Sequence, residues 1–201
     1  MELNLDDVKS EDRGILGPCG IVCLGCDLHK GESLEAAKIV VKIWEGFNLP
    51  DVAKAFGLEP EDVVRTLETL KEYIRISEES GPCSGCHIGG LGHCAICPIV
   101  NCAKSKGYWT CAECENYSPE LEYPCPHMNS VSTPFESRGA MFAMVCKRYN
   151  VNNLENLKRC REIGYHAFIA EIKEKTENGW RTWQVISREM LLQGKTMESL
   201  F

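Results

Sequence analysis

Cys83-Ser84-Gly85-Cys86-His87-Ile88-Gly89-Gly90 opens the stretch of the chain that decides its fold. Cys94-Ala95-Ile96-Cys97, Cys102 and Cys111-Ala112-Glu113-Cys114 complete it, so seven cysteines fall within residues 83–114. Residues 83–129 are rich in Cys, Gly, Pro and His and carry few long apolar periods. Such a segment buries too little apolar surface to hold itself and needs another source of order.

The cysteine spacing names that source. Four C-x-x-C units are present: Cys23/Cys26, Cys83/Cys86, Cys94/Cys97 and Cys111/Cys114. Thirteen cysteines scattered at random over 201 positions would give about one such pair. Two intervening residues turn the chain so that both sulfurs face one ion, while freed backbone N–H groups donate to the thiolates. Gly25 and Gly85, each just before the second cysteine, are expected to ease that turn.

Cys19 extends the first unit to C-x-x-x-C-x-x-C, and Cys102 and Cys125 flank the last. The candidate metal ligands are Cys19, Cys23, Cys26, Cys83, Cys86, Cys94, Cys97, Cys102, Cys111, Cys114, Cys125 and His127. Eleven thiolates and one histidine fill three four-ligand sites. His87 and His93 adjoin cysteines and are alternatives to His127; His29, three residues after Cys26, is another. Two sites using eight thiolates are the other solution. The preferred pairing unites Cys23/Cys26 with Cys83/Cys86, and Cys94/Cys97 with Cys111/Cys114. Tetrahedral sulfur suits two or three zinc ions, with a [4Fe–4S] cluster as the alternative. Cys146, inside an apolar run, and Cys160, in helical step with Leu154 and Leu157, read as core residues.

The flanks read as helical. Residues 1–18 form a leader, 19–129 the cysteine-rich region with a helical insert at 33–80, and 130–201 a C-terminal helical region. Within the insert, Ser33 caps a helix with Leu34, Ala37, Val41 and Trp44 on one face, ended by Gly46. Pro50 starts a short helix that stops near Gly57. Pro60, with Glu61 and Asp62 in the first turn, opens a longer one bearing Val64, Leu67, Leu70 and Ile74. Residues 138–149 form an apolar run, Asn153 caps a helix over 154–177, and a last helix covers 182–192 with Trp183, Ile186 and Met190 on one side. The expected fold class is mainly α, with an irregular, metal-stabilised segment of zinc-ribbon or knuckle type and room for short β-hairpins.

The ordered set Cys19-Gly20-x-x-Cys23-x-x-Cys26, Cys83-x-Gly85-Cys86, His93-Cys94-x-x-Cys97, Cys102-Ala103-Lys104-x-Lys106-Gly107, Cys111-x-x-Cys114 and Tyr123-Pro124-Cys125 resembles a widespread bacterial and archaeal family of cysteine-rich proteins of unknown function. The likeness extends to Leu157-Lys158-Arg159-x-Arg161-Glu162-Ile163-Gly164. It implies a metal-binding, zinc-ribbon-like protein and no known reaction. The chain departs from that pattern in the ten residues between Cys114 and Cys125.

Composition excludes several function classes. The net charge is −7, with hydrophobic residues at 44% and charged residues at 25%. Residues 1–129 carry 11 basic and 21 acidic side chains, and residues 130–201 carry 11 and 8. An acidic chain repels phosphate backbones, so nucleic-acid binding is not expected. Four thiolates around Zn²⁺ make a local −2 charge, which the basic C-terminal part is placed to offset.

Ala53, Gly57 and Val63 are spaced as in helix-turn-helix units. The would-be recognition helix nevertheless opens Glu59-Pro60-Glu61-Asp62, and the unit reads as a helical hairpin. No stretch approaches a membrane span. The acidic first residues lack a signal-peptide layout, so a cytoplasmic protein with reduced cysteines is expected. No Gly-x-Ser-x-Gly, phosphate loop or His-Glu-x-x-His is present. The C-x-x-x-C-x-x-C spacing is similar to that of radical S-adenosylmethionine enzymes, but Gly25 stands where they carry an aromatic residue and no βα alternation follows. The expected function is a zinc-stabilised binding or adaptor module with a protein partner of unspecified identity. An iron–sulfur redox protein or enzyme is the alternative, and a helix-turn-helix regulator ranks below it.

Overall fold

The computed structural model describes residues 3–90, 97–116 and 150–185. Among them the protein is mainly helical and holds no strand. Among the described residues the β pairing is one antiparallel bridge, Leu16 to Val22. Chain contacts divide the molecule into two compact units, residues 30–82 and residues 1–29 with 83–201.

Residues 30–82 are built from α2 (Glu32–Gly46), α3 (Leu49–Val52), a 3-10 turn (Ala53–Phe56) and α4 (Pro60–Ser80), following the short α1 (Asp27–Lys30). Their core is Val41, Leu49, Ala53, Val63 and Leu67, with Trp44, Leu70 and Ile74 packed against it. The buried stripe of α4 thus runs Val63, Leu67, Leu70, Ile74, the steps of 4, 3 and 4 that keep one helical face. Val64, expected on that face, is exposed. The cap of α2 also differs from expectation: Gly31, at φ +73°, precedes its first residue, and the Ser33 hydroxyl bonds the Tyr73 hydroxyl at 2.7 Å. Gly57 ends the 3-10 turn at φ +74°, a conformation that favours glycine. Pro60 then starts α4 with Glu61 and Asp62 in the dipole-favoured first turn.

The second unit packs α5 (Pro98–Ser105), α6 (Asn150–Ile163) and α7 (Tyr165–Glu177) with the N-terminal loop. Its core includes Val8, Ile15, Leu16, Val22, Ile99, Trp109, Leu157, Cys160, Phe168 and Ile172. Leu157 and Cys160 are fully buried on α6. The single helix expected over 154–177 is two, because Gly164 adopts φ +81° and ψ +165° between them, and α7 folds back on α6. Arg159 of α6 pairs with Glu171 of α7 at 2.6 Å. Asn153 lies inside α6 and is buried, so it caps nothing.

Of the helix expected at 182–192, residues Thr182–Val185 form a 3-10 turn with Trp183 exposed. Ile186, Met190, the run 138–149 and Cys146 lie outside the described residues. No helix among the described residues is long and apolar enough to cross a membrane.

Candidate metal centre

The first cysteine turn is made by backbone. Gly17 N–H donates to the Ile21 carbonyl at 2.8 Å, and Gly20 N–H to the Gly17 carbonyl at 2.9 Å. Gly20 sits at φ +88°, and a Cβ there would collide with the Asn153 carbonyl and Leu157. This close approach brings α6 against Cys19: Asn153 Nδ2 donates to Cys19 Sγ at 3.7 Å and Asn156 Nδ2 to the Gly20 carbonyl at 2.8 Å.

Cys23 and Cys26 share a 3-10 turn, with Cys26 N–H bonded to the Cys23 carbonyl at 2.9 Å. Gly25 serves a different end from the one expected. Its φ is not positive, but the Trp180 ring lies 2.8 Å from where a Cβ would stand. Thr182 Oγ1 donates to the Val22 carbonyl at 2.6 Å and fixes the same edge.

Cys26 stands beside Cys83. Cys83 N–H donates to the Leu28 carbonyl at 2.8 Å, and His29 Nδ1 lies 2.7 Å from the Cys83 carbonyl, where it donates. Burial pushes the Cys26 thiol up from its ordinary value, and the neighbouring Cys83 adds to that. The backbone N–H groups of Leu28 and His29 bond the sulfur and pull the other way.

Gly85 does ease its turn, at φ +94°, and it also lies against the Gly14 carbonyl where no side chain fits. Cys86 Sγ packs near Gly17. His87 stacks on Trp109 with ring centroids 5.6 Å apart. Burial lowers its pKa to about 4, against an opposing bond to the Leu16 backbone, and its Nε2 is buried with no hydrogen-bond partner among the described residues.

Cys111 and Cys114 repeat the geometry of Cys23 and Cys26. They too share a 3-10 turn, with Cys114 N–H on the Cys111 carbonyl at 3.1 Å. The second cysteines match in backbone angle, φ −79° and ψ 135° at Cys26 and φ −76° and ψ 121° at Cys114. Thr110 and Glu113 close a capping box over the turn. Glu113 Oε1 accepts from Trp109 N–H at 2.7 Å, Thr110 N–H at 3.0 Å and the buried Tyr165 hydroxyl at 2.6 Å. From α6, Arg161 donates to the carbonyls of Ala112 at 2.7 Å and Cys114 at 2.6 Å. Cys111 N–H reaches the Pro18 carbonyl at 2.8 Å, which ties this turn to the one bearing Cys19.

Cys97 precedes α5 and Cys102 lies within it. Lys106 follows the helix and donates from Nζ to Cys114 Sγ at 3.7 Å. Cys23, Cys26, Cys83, Cys102, Cys114 and Cys160 are free thiols. Among the described residues no three His, Cys, Asp or Glu side chains converge as a metal-holding group. Cys94, His93, Cys125 and His127 lie outside the described residues.

Sequence reasoning missed Asn153, Arg161 and Lys106 as neighbours of cysteines. Only Lys106 carried a local signal, four residues after Cys102 on a helix.

With its cysteine turns and helices in place, the chain belongs, through residues 15–130, to the family described as "Protein of unknown function (DUF3795)". No curated protein and no solved structure matches it.

Proposed function

We propose that this chain is a metal-stabilised binding module, its cysteine turns holding zinc in a reduced, cytoplasmic compartment. The observation that carries the reading is the Cys26–Cys83 pair. Two cysteine-bearing segments from distant parts of the chain are tied together, Cys83 N–H donating to the Leu28 carbonyl at 2.8 Å and His29 Nδ1 to the Cys83 carbonyl at 2.7 Å. Backbone N–H donors on a ligand sulfur stabilise its thiolate form, which is the form that binds metal. The repeated 3-10 geometry at Cys23–Cys26 and Cys111–Cys114 supports the same reading. Zinc suits sulfur ligands and brings no redox chemistry, so closed sites of this kind supply folding energy and display the surrounding surface to a partner.

Elemental analysis of anaerobically purified protein, read with its visible spectrum, tests this. Two or three zinc ions per chain in colourless protein are expected. Iron with acid-labile sulfide and visible absorption would replace this reading with a redox one, and protein free of both metals would end it.

A further inference from the structure

The geometry points to α2 as a dimerisation helix, which pairs antiparallel with α2 of a second copy of this chain about a two-fold axis. The inference is independent of the metal-binding reading. The face it uses lies on residues 30–82, which have an apolar core of their own.

A surface helix ordinarily carries apolar residues on one side and polar ones on the other. Helix α2 carries apolar residues on two. Val41 and Trp44 face the core shared with α4, and Ala37 is buried in step with them. The helical period puts Ile39, Ile43 and Phe47, each four residues from the next, on the far side. Each of the three is more than half exposed. Phe56 extends the stripe. Its ring meets that of Phe47 edge-on, with centroids 6.0 Å apart, and it too is more than half exposed. Val52 and Leu58, on either side of Phe56 along the chain, are also exposed.

Area and charge choose the occupant. Side chains exposed to this extent present on the order of 600 Å² of apolar surface, so two copies would bury about 1,200 Å², where specific protein interfaces begin. A small ligand would leave most of that surface wet. Glu35 and Lys42 flank the stripe on one side, a heptad apart. A two-fold axis crossing the helix pair at right angles brings like flanks together and reverses their order. Glu35 of each copy then stands toward Lys42 of the other, and the match is made twice. Glu35 also holds Lys38 at 3.0 Å, yet its side chain remains 68% exposed, which leaves it open to a second cation. Residues 30–82 carry 7 basic and 11 acidic side chains, a balance that disfavours an anionic lipid surface on this face.

Sedimentation equilibrium of the full-length protein tests this, run anaerobically with reductant so that no intermolecular disulfide mimics association. Wild type should pass from monomer to dimer over micromolar concentrations. I43E, a change at an exposed position, should weaken dimerisation at least about thirtyfold. K42E sets carboxylates against each other twice and should weaken it about tenfold; adding E35K restores the opposite charges and should recover most of that loss. Far-ultraviolet circular dichroism checks that each variant stays helical, and I39E takes the place of I43E if that one does not. Wild type that stays monomeric, or a dimer that I43E leaves whole, overturns the inference. A loss in K42E that E35K does not recover overturns the antiparallel pairing. Monomer that binds phosphatidylcholine vesicles, and loses that binding in I43E, would assign the face to lipid and overturn the inference as well.

Discussion

Gly20 shows how little freedom the first cysteine turn has. Its backbone is left-handed, and the Asn153 carbonyl and Leu157 occupy the space of a side chain. Gly20→Ala is expected to cost at least about 1 kcal/mol, read as a lower urea midpoint at unchanged slope. Cys160 is the opposite case among the thiols. It is fully buried between Leu157 and the α7 core, and burial holds its thiol far above the ordinary value. It should resist alkylation in native protein and react only once the chain unfolds, which peptide mapping by mass spectrometry would report; early labelling would show that α6 opens locally. Burial of Cys160 was legible from its helical step with Leu154 and Leu157. The reason for Gly25 was not, because Trp180, which forbids a side chain there, lies in a remote part of the sequence.

Among the described elements, the Cys111–Cys114 turn is braced from several sides. Thr110 and Glu113 form a capping box that the sequence spells as Thr-x-x-Glu, but its third member, Tyr165, comes from the first residue of α7. Tyr165→Phe removes a buried hydroxyl from Glu113 and Thr110 and should cost about 1–3 kcal/mol by chemical denaturation. A cost near zero would mean that water replaces the hydroxyl. The helices α2 and α4 were readable because apolar periodicity and the Pro60 start signal are local. The break at Gly164 was not read, because the flanking residues 154–177 keep a helical pattern through it. A single glycine with ψ near 165° is enough to turn one long helix into a packed pair.

At the scale of the whole molecule, each unit has an apolar core of its own, and Cys19, Cys97, Cys111 and Cys114 pack against that of the second as partly buried residues. The cysteine turns themselves are short 3-10 pieces with few bonds inside them. On the metal-binding proposal, a strong chelator should release amide protection in 83–90 and 97–116 while α2 and α4 keep theirs, as hydrogen exchange would show. Protection that persists in the cysteine turns after the metal is gone would mean that packing alone holds them. The sequence could not say which cysteines meet, because that depends on backbone ties across long separations, Cys83 to Leu28 and Cys111 to Pro18. The first of these ties has a wider consequence. Leu28, His29 and Cys83 fasten together the two ends from which residues 30–82 depart and return. The chain is thereby gated at a natural splice point: the excursion beyond it is free to lengthen, shrink or be exchanged for another module while the sulfur-bearing body keeps its register.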